Sequence, residues 1–351
     1  MFTINTMLGA WDQLIQHSIR IIFLFLYVVG NSISQAWAVS VDIGESNIPI
    51  LFDKASIYPE SISFNRKNGR FIVGSFRDGM IYEVNDNGES RILVNDKRLR
   101  SVLGIAIDNK RGRIYAANSD LGVSLRSSSS GVKNLAALGV YDLDTGKTID
   151  YIDLGSLMPA ESHLANGVAV DNEGNVYVTD SLSPVIYKVD VNGKSSVFSR
   201  SQRFEGEGIN LNGIVYHPDG YLLVVKKSDG SIFRISLASP NNISLVDIPK
   251  KMAGGDGLLL VDNEQVLVVA NSASGTKSNS VYLLRSINDW DTAEVMEVRK
   301  LDDVYPTTTV IKDSEIYVVY TRLNKLIRST KENVETHNQI ARILKIGSVT
   351  P

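Results

Sequence analysis

Short apolar runs, separated by turn residues, recur along this chain after residue 48. In the clearest stretch, four runs rich in Val, Ile, Tyr and Phe follow one another, and Asn, Gly and Pro stand between them. Runs of this length and composition predict β-strands, and the short turns predict an antiparallel meander. The four predicted strands of this stretch are Gly167–Asp171, Asn175–Asp180, Val185–Asp190 and Ser195–Phe198.

The same unit occurs six times, at a spacing of roughly 45–50 residues, which is the scale of propeller blades. A single four-stranded sheet leaves its apolar faces bare, whereas six sheets around one axis bury these faces and protect the strand edges. The pattern therefore predicts an all-β fold, a six-bladed β-propeller with four-stranded antiparallel blades. The first strands of the six copies are predicted to start at Ser61, Leu103, Gly167, Gly213, Leu258 and Thr307.

The sequences at the two ends of the repeated region indicate how the ring closes. The run at residues 48–52 precedes the first complete copy and resembles an outermost strand. The last copy is predicted to contain a polar hairpin loop at residues 330–337 and to finish with a strand at residues 339–346. We predict that the N-terminal strand closes the ring by joining this last blade.

An insertion interrupts the second copy at about residues 119–137, with the serine-rich run Ser127–Gly131 at its centre. We predict a mobile loop here. Two interpretations remain open for it. It is either a tolerated surface insertion or a lid over one face of the ring, because long loops in compact domains often carry function.

Composition narrows the class of protein. The chain has 351 residues, of which 43% are hydrophobic and 21% are charged, and its net charge is −3. This balance gives no reason to expect nucleic acid or an anionic membrane as a partner. Length alone suggests two domains, but the repeats favour one propeller, and a monomer, over residues 39–351. The absence of cysteine excludes disulfides, thiolate catalysis and zinc–cysteine sites.

The N-terminal segment resembles a secretory signal. Arg20 precedes the apolar run Ile21–Val29, and Ala36-Trp-Ala38 follows as an A-x-A cleavage pattern. The run is short for a transmembrane helix. We predict a signal peptide at residues 1–38, cleavage after Ala38, and a secreted or periplasmic protein that does not touch the membrane after cleavage. The long leading segment keeps an uncleaved anchor open as the alternative.

Polar residues recur at one equivalent position, the start of the first strand of a copy, which is the strand nearest the axis. The four that carry oxygen ligands are Glu60, Asn166, Asn212 and Asp256. Asn-Gly and Asp-Gly pairs elsewhere in the chain are explained as hairpin turns. A purely structural turn would repeat in all six copies, but the other two copies have Leu103 and Thr307 here. We expect the four side chains to meet on the axis; the alternative is that they cap turns.

Two carboxylates and two amides form a set of hard oxygen donors, which suits calcium with water in the open positions. Magnesium requires a stricter octahedron. No histidine or thiolate belongs to the set, which argues against zinc or copper. We therefore predict one calcium ion on the axis, with other divalent cations as weaker alternatives.

The blade pattern, with Glu60 in a Pro-Glu-Ser sequence and the pairs Asn166-Gly, Asn212-Gly and Asp256-Gly, resembles a known family. It is similar to the calcium-dependent six-bladed propellers of the gluconolactonase and senescence-marker-protein (regucalcin) group, whose relatives include paraoxonases and diisopropyl-fluorophosphatase. The resemblance covers roughly residues 48–346. It implies that the four residues bind a calcium ion that polarises a lactone, ester or phosphotriester, and that Asp256 acts as nucleophile or base. The paired catalytic histidines of paraoxonases have no visible counterpart.

Further catalytic candidates lie near the same strand ends. His163, three residues before Asn166 and close to Glu161, is a candidate general base, or else a loop histidine with satisfied hydrogen bonds. Of the adjacent Lys226 and Lys227, at most one is expected to point inward, because successive strand residues face opposite sides. The other residues that end second strands and could face the mouth of the ring are Asn118, Asp180, Asn271 and Tyr320.

These observations predict an exported calcium-dependent hydrolase that acts on a small lactone or related ester. Calcium would act as a Lewis acid, and a nearby carboxylate would activate water or attack directly. The competing prediction is a non-catalytic propeller that binds a ligand or a protein and uses calcium as a structural ion. A strictosidine-synthase-like propeller is a further alternative.

Overall fold

The computed structural model describes residues 39–44, 49–54, 57–272, 279–301, 305–328 and 341–350. The predicted signal peptide and the predicted hairpin loop at residues 330–337 lie outside these residues. In the described ranges, no helix has the length and apolar character needed to cross a bilayer. The propeller occupies the unit Val41–Val349.

The strands form six antiparallel sheets that follow one another along the chain. The strands that precede the first blade are β1 (Ser40–Asp42) and β2 (Ile50–Leu51). Blade 1 consists of β3 (Pro59–Asn65), β4 (Arg70–Ser75), β5 (Ile81–Val84) and β6 (Ser90–Val94). Blade 2 consists of β7 (Ser101–Asp108), β8 (Arg113–Ser119), β9 (Ala136–Asp142) and β10 (Thr148–Asp153). Blade 3 consists of β11 (Ala165–Val170), β12 (Val176–Asp180), β13 (Val185–Val189) and β14 (Ser195–Arg200).

The second half of the ring repeats this arrangement. Blade 4 consists of β15 (Leu211–His217), β16 (Tyr221–Lys226), β17 (Ser231–Ser236) and β18 (Ile243–Leu245). Blade 5 consists of β19 (Gly255–Leu260), β20 (Gln265–Ala270), β21 (Ser280–Arg285) and β22 (Glu294–Lys300). Blade 6 contains β23 (Pro306–Lys312), β24 (Glu315–Tyr320) and β25 (Arg342–Thr350). Among the described residues, the helical segments are the 3-10 turns Gly155–Leu157 and Gln202–Phe204 and the short helix Leu323–Arg328.

The inner strands make the ring, and the N-terminal strands complete it. Each inner strand contacts the inner strand of the next blade, and β23 contacts β3. On the outer side of β25, β1 and β2 pair with it; Ile50 lies opposite Ile343 and Leu51 opposite Arg342. The predicted six-bladed propeller, closed by an N-terminal strand, is therefore confirmed. The strand β1 was not predicted.

The core lies between neighbouring blades, because both faces of each sheet are covered. In β4, Phe71 and Val73 pack toward blade 6, whereas Ile72 between them packs toward blade 2. This alternation follows from the two-residue period of a strand. Each of the six blade interfaces has its own apolar cluster of this kind. Burial on both faces explains why the strands read as nearly continuous apolar runs.

The insertion in blade 2 is three residues shorter than predicted, since β8 extends to Ser119 and β9 already begins at Ala136. Hydrogen bonds organise the loop in the structure. The carboxylate of Asp120 accepts from the hydroxyl of Ser127 (2.6 Å) and from the backbone N–H of Ser128 (3.0 Å). The guanidinium of Arg126 donates to the carbonyl of Asp96 (2.8 Å) and to Oδ1 of Asn95 (2.6 Å). These contacts fix the loop to the segment between blades 1 and 2.

Candidate functional site

Six equivalent residues, here called the axial residues, lie where the inner strands begin. In every blade the pairing of the first two strands is irregular at this point, as in a β-bulge. Bulges redirect a side chain away from the regular pleat and are common beside functional sites. None of the six is more than 6% exposed. The axial residues are Glu60, Leu103, Asn166, Asn212, Asp256 and Thr307.

Glycine follows four axial residues because the next blade approaches too closely for a side chain. A Cβ at Gly104 would lie 2.0 Å from the carbonyl oxygen of Asn166, and one at Gly213 would lie 2.3 Å from that of Asp256. Gly167 and Gly257 are in the same situation. The Asn-Gly and Asp-Gly pairs at the axis are therefore not hairpin turns; they mark contact between inner strands.

The structure brings Asp256 together with two residues that end second strands. The ammonium of Lys227 lies 2.8 Å from Oδ2 of Asp256 and 2.9 Å from Oδ1 of Asn271. The amide Nδ2 of Asn271 donates to the same Asp256 oxygen and to the carbonyl of Pro306 (2.9 Å). The side chains of Lys227 and Asp256 are only 3% and 5% exposed. Removal of one partner from such a buried pair typically costs about 3–5 kcal/mol.

Glu60 is the second carboxylate of the axial group. Burial and the negative charge of Asp256 raise the pKa of Glu60 well above its usual range, and the positive charge of Lys227 opposes this. In the described part of the chain, no hydrogen-bond donor contacts the Glu60 carboxylate. Lys227 forms its ion pair with Asp256, and the raised pKa favours the protonated, neutral form of Glu60 in the metal-free protein.

The two axial asparagines lie on the same central cavity as Glu60. This cavity has a volume of about 540 Å³ and follows the inner strands, and Glu60, Asn166 and Asn212 line it. The Nδ2 of Asn166 donates to the hydroxyl of Ser181 (3.0 Å), so its amide oxygen is left for another partner. Thr307 has a fully buried hydroxyl with no hydrogen bond in the structure. Oxygen atoms without a partner at an axis of this kind indicate room for a water, a cation or a ligand.

An apolar cluster, here called the cap, packs against the axial group. It contains Tyr58, Phe76, Leu103, Leu164, Tyr305, Leu323 and Leu326. Tyr58 and Tyr305 each precede a proline at the start of an inner strand, and their φ angles are 47° and 54°. A non-glycine residue in the left-handed region costs about 1–3 kcal/mol and is often found at functional sites. Leu121 and Val123 of the insertion pack against the cap, which places the loop beside the axis.

The structure gives both ring nitrogens of His163 partners that are not axial residues. Nδ1 lies 2.8 Å from Oδ2 of Asp180, and Nε2 lies 3.1 Å from the carbonyl oxygen of Met158. The hydroxyl of Tyr187 lies 3.3 Å from the same Asp180 oxygen. This is the geometry of the satisfied loop histidine, and it leaves no nitrogen free to act as a general base. That His163 is catalytic stays a prediction from the sequence.

His163 should make stability depend on pH. Burial lowers the pKa of His163, but the hydrogen bond and charge of Asp180 outweigh burial, so the pKa is raised above 6.5. Its contribution to stability is therefore complete below its unfolded-state pKa and is lost as pH rises through the folded-state value. We expect the free energy of unfolding to fall between weakly acidic and weakly alkaline pH, as pH rises through the raised pKa of His163. His163→Gln should flatten this slope and cost about 1–3 kcal/mol at the lower pH. Urea unfolding across this range measures both effects.

His217→Gln is the matched control for this experiment. His217 is also buried, but its acidic neighbour Asp219 is 59% exposed. This variant reports the effect of removing a buried imidazole whose carboxylate neighbour is exposed. An equal slope in the His163 variant and the unaltered protein would contradict the assignment of the pH dependence to the His163–Asp180 pair.

Among the candidates Asn118, Asp180, Lys226 and Asn271, only Asn271 forms a hydrogen bond with an axial side chain in the described part of the chain. Asp180 holds His163, and Asn118 accepts from the backbone N–H of Arg100 (2.7 Å). Lys226 donates to the carbonyl of Glu205 (2.5 Å). The expectation that at most one of the adjacent lysines points to the axis agrees with these contacts. Lys227 is the lysine that reaches the axis, and its equivalence to Ser181 and Asn271, which follow β12 and β20, is the signal that favours it over Lys226. Tyr305 was missed.

The axial group fits a calcium ion in its chemistry. Among the described residues, no three His, Asp or Glu side chains gather as a metal site. A cation at the axis would therefore depend on the amide oxygens of Asn166 and Asn212 in addition to the two carboxylates. Such a mixed set of oxygens is typical of calcium rather than of zinc. Lys227 already lies 2.8 Å from Oδ2 of Asp256, and a cation on that oxygen would have to compete with it.

Comparison with known proteins identifies the fold and leaves the family open. No protein family is matched by the sequence, and no protein of curated function is similar to it. The major allergen Mala s 1 of Malassezia sympodialis is similar in structure, with a TM-score of 0.64, 15% identity, and coverage of 86% of this chain and 96% of that one.

Two enzymes are also similar in structure. Virginiamycin B lyase from Staphylococcus aureus has a TM-score of 0.54 and 14% identity, and the match covers 87% of this chain and 99% of that one. The aldose sugar dehydrogenase of Streptomyces coelicolor, solved with PQQ bound, has a TM-score of 0.55 and 13% identity, with 89% and 98% covered. Because these identities are low, the similarities show the propeller fold alone.

Proposed function

We propose that this protein is a calcium-dependent hydrolase of a lactone or related ester, with the ion held by Glu60, Asn166, Asn212 and Asp256. The observation that carries the proposal is Glu60, a buried carboxylate beside a second carboxylate, with no hydrogen-bond donor on it in the described part of the chain. Burial of an ionised carboxylate is costly unless it is paired or coordinated to a metal, so a cation on the axis would supply the partner that ionised Glu60 needs. The existence of propeller enzymes among the structural neighbours, a lyase and a dehydrogenase, supports catalysis on this fold.

The mechanism assigns separate tasks to the two carboxylates. Calcium, when bound, would act as a Lewis acid toward a carbonyl oxygen. Glu60 supplies the second negative charge that makes the site attractive to a divalent cation. Asp256 accepts a proton from the attacking water or attacks the carbonyl itself. Asn271 and Lys227 hold Asp256 by its Oδ2 atom, so that Oδ1 is the oxygen available for this task.

The cap supplies the second requirement of the reaction, which is exclusion of bulk water. Tyr305 places its ring beside the ammonium of Lys227, at 6.0 Å from ring centre to nitrogen. Electrostatic interactions are stronger in a site that is closed to water. The lid interpretation of the insertion fits this task, since Leu121 and Val123 belong to the same apolar contact.

We also propose, from residues 1–38, that the protein is exported and acts as a soluble monomer on a small molecule.

Calcium binding and turnover test the proposal together. We expect the purified full chain to bind one calcium ion by titration calorimetry and to hydrolyse at least one compound in a panel of lactones, aryl esters and phosphotriesters. Chelator should abolish the turnover. Glu60→Gln should abolish calcium binding but raise the stability of the metal-free protein by about 1–3 kcal/mol at neutral pH, because folding no longer has to protonate or desolvate the buried carboxyl.

Two results would count against the hydrolase. A flat rate across the panel, with calcium bound, would move the assignment to a propeller that binds a ligand and uses calcium as a structural ion. Failure of calcium to bind at all would remove the metal from the proposal.

A second candidate function follows from the Lys227–Asp256 pair. If the ammonium of Lys227 serves permanently as the axial cation, the ring needs no metal, and the central cavity would serve a non-catalytic binding propeller. The calorimetric titration separates this candidate from the first, because it expects no calcium binding.

A further inference from the structure

The residue after the second strand of a blade reaches toward the next blade, and its length decides what it contacts. After β12, Ser181 donates to the carbonyl of Leu211 (2.5 Å). After β20, Asn271 donates to the carbonyl of Pro306 (2.9 Å). Both therefore contact the backbone just before an axial residue. Lys227, after β16, is longer and passes this backbone to reach the axial side chain itself, Oδ2 of Asp256.

The ammonium of Lys227 and a calcium ion cannot use this oxygen independently. A calcium ligand has to lie about 2.3–2.6 Å from the ion, and Lys227 lies 2.8 Å from the same carboxylate oxygen. Two cations held this close in a buried site repel each other strongly. Calcium therefore binds tightly only when the ammonium withdraws from Asp256. While the ammonium stays beside Asp256, calcium binding is weakened.

A position for the withdrawn ammonium already exists in the structure. Oδ1 of Asn271 accepts from Lys227 at 2.9 Å. The ring of Tyr305 presents its face to the same nitrogen at 6.0 Å, within the range of a cation–π contact. A small rotation of the lysine side chain can release Asp256 while the ammonium keeps these two partners.

We infer that Lys227 is an internal counter-ion that competes with calcium for Asp256 and so sets the calcium affinity of the axial site. This inference rests on the proposed function, since it concerns the same site. In the metal-free protein, Lys227 neutralises Asp256 and keeps the axial residues in place. In the metal-bound protein, its charge weakens calcium binding. The residue is a regulator of affinity and not a catalytic group.

Charge removal at Lys227 tests the inference. We expect Lys227→Gln to bind calcium at least about tenfold more tightly than the unaltered protein in titration calorimetry, a difference of about 1.4 kcal/mol. The same variant should lose stability in chelator and regain it when calcium is added, whereas the unaltered protein should respond less. Both effects are measured by binding and melting, without any assay of turnover.

Two further variants serve as controls. Lys226→Gln removes the neighbouring buried lysine, which contacts the carbonyl of Glu205 and the carboxylate of Asp229, and it should leave calcium affinity unchanged. Lys227→Arg keeps the charge and should keep the weaker affinity. If Lys227→Gln folds only with calcium present, its affinity is measured by back-titration with a chelator.

The outcomes separate the inference from the proposed function. Equal calcium affinity in Lys227→Gln and the unaltered protein would overturn the role of Lys227 and leave the calcium site standing. Tighter binding in Lys226→Gln as well would also overturn it, because the effect would then be one of net charge. Absence of calcium binding in every variant would overturn the inference and the calcium site together.

Discussion

Replacing Asp256 with asparagine should abolish both calcium binding and turnover, and it should also destabilise the metal-free protein by about 3 kcal/mol. The loss of stability follows from the ion pair, since Asp256→Asn leaves the ammonium of Lys227 buried at 3% exposure without its charged partner. The loss of function follows from the proposed role of Asp256 as ligand and as nucleophile or base. Chemical denaturation, calorimetry with calcium and the substrate panel measure the three effects.

The double variant Asp256→Asn with Lys227→Gln separates stability from function. With both charges removed, the two amides can still form hydrogen bonds with each other and with Asn271, so most of the lost stability should return. Turnover and calcium binding should remain absent. Because the two residues are in contact, their effects on stability should not add. Additive losses would contradict the buried pair, and residual turnover in either variant would contradict the proposed role of Asp256.

The repeated pattern of the sequence was sufficient to predict the propeller. Six copies of a unit made of short, nearly continuous apolar runs require six sheets with two covered faces, and few arrangements other than a ring satisfy that requirement. Equivalence within the repeat also picked out Glu60, Asn166, Asn212 and Asp256, which all occupy the irregular first step of an inner strand. This inference works because residues at equivalent positions of the six copies lie at the same distance from the ring axis.

The contacts between blades could not be predicted in the same way. That Lys227 reaches Asp256 depends on the length of one side chain across a blade interface, and the local pattern carries no information about this distance. His163 shows the same limit. Its spacing from Asn166 suggested the axial mouth, but Asp180, opposite it in the folded blade, holds its ring elsewhere.

The glycines that follow the axial residues depend both on the repeat pattern of the sequence and on the contacts between blades. Asn-Gly in a sequence is a common hairpin signal, and only its place in the repeat suggested another reason for it. The structure supplies that reason as a distance between backbones of adjacent blades. At Gly104 the φ angle is not in the left-handed region, so the need for glycine is one of space alone.

Alanine substitution at these glycines should push neighbouring inner strands apart. The loss of stability should be larger where the added Cβ would lie closer to the neighbouring backbone. A Cβ at Gly104 would lie 2.0 Å from the carbonyl oxygen of Asn166, whereas one at Gly257 would lie 2.7 Å from that of Thr307. We expect Gly104→Ala to cost at least about 3 kcal/mol and Gly257→Ala less, because backbone on both sides must shift. Gly104→Ala should also weaken calcium binding, since it displaces the axial Asn166. Denaturant unfolding and calorimetry measure the two losses.

Gly44→Ala is the control, because it makes the same chemical change at a position where no backbone of a neighbouring blade lies close to the added Cβ. The added Cβ there would lie 3.2 Å from a carboxylate oxygen of Asp42, a side-chain atom that is able to move. Its cost should stay within about 0.5 kcal/mol, as for most surface substitutions. Equally small losses at Gly104 and Gly44 would mean that neighbouring inner strands are farther apart than the ring requires. The axial oxygens would then be too far apart to share one ion, since their convergence depends on the same close approach of the inner strands.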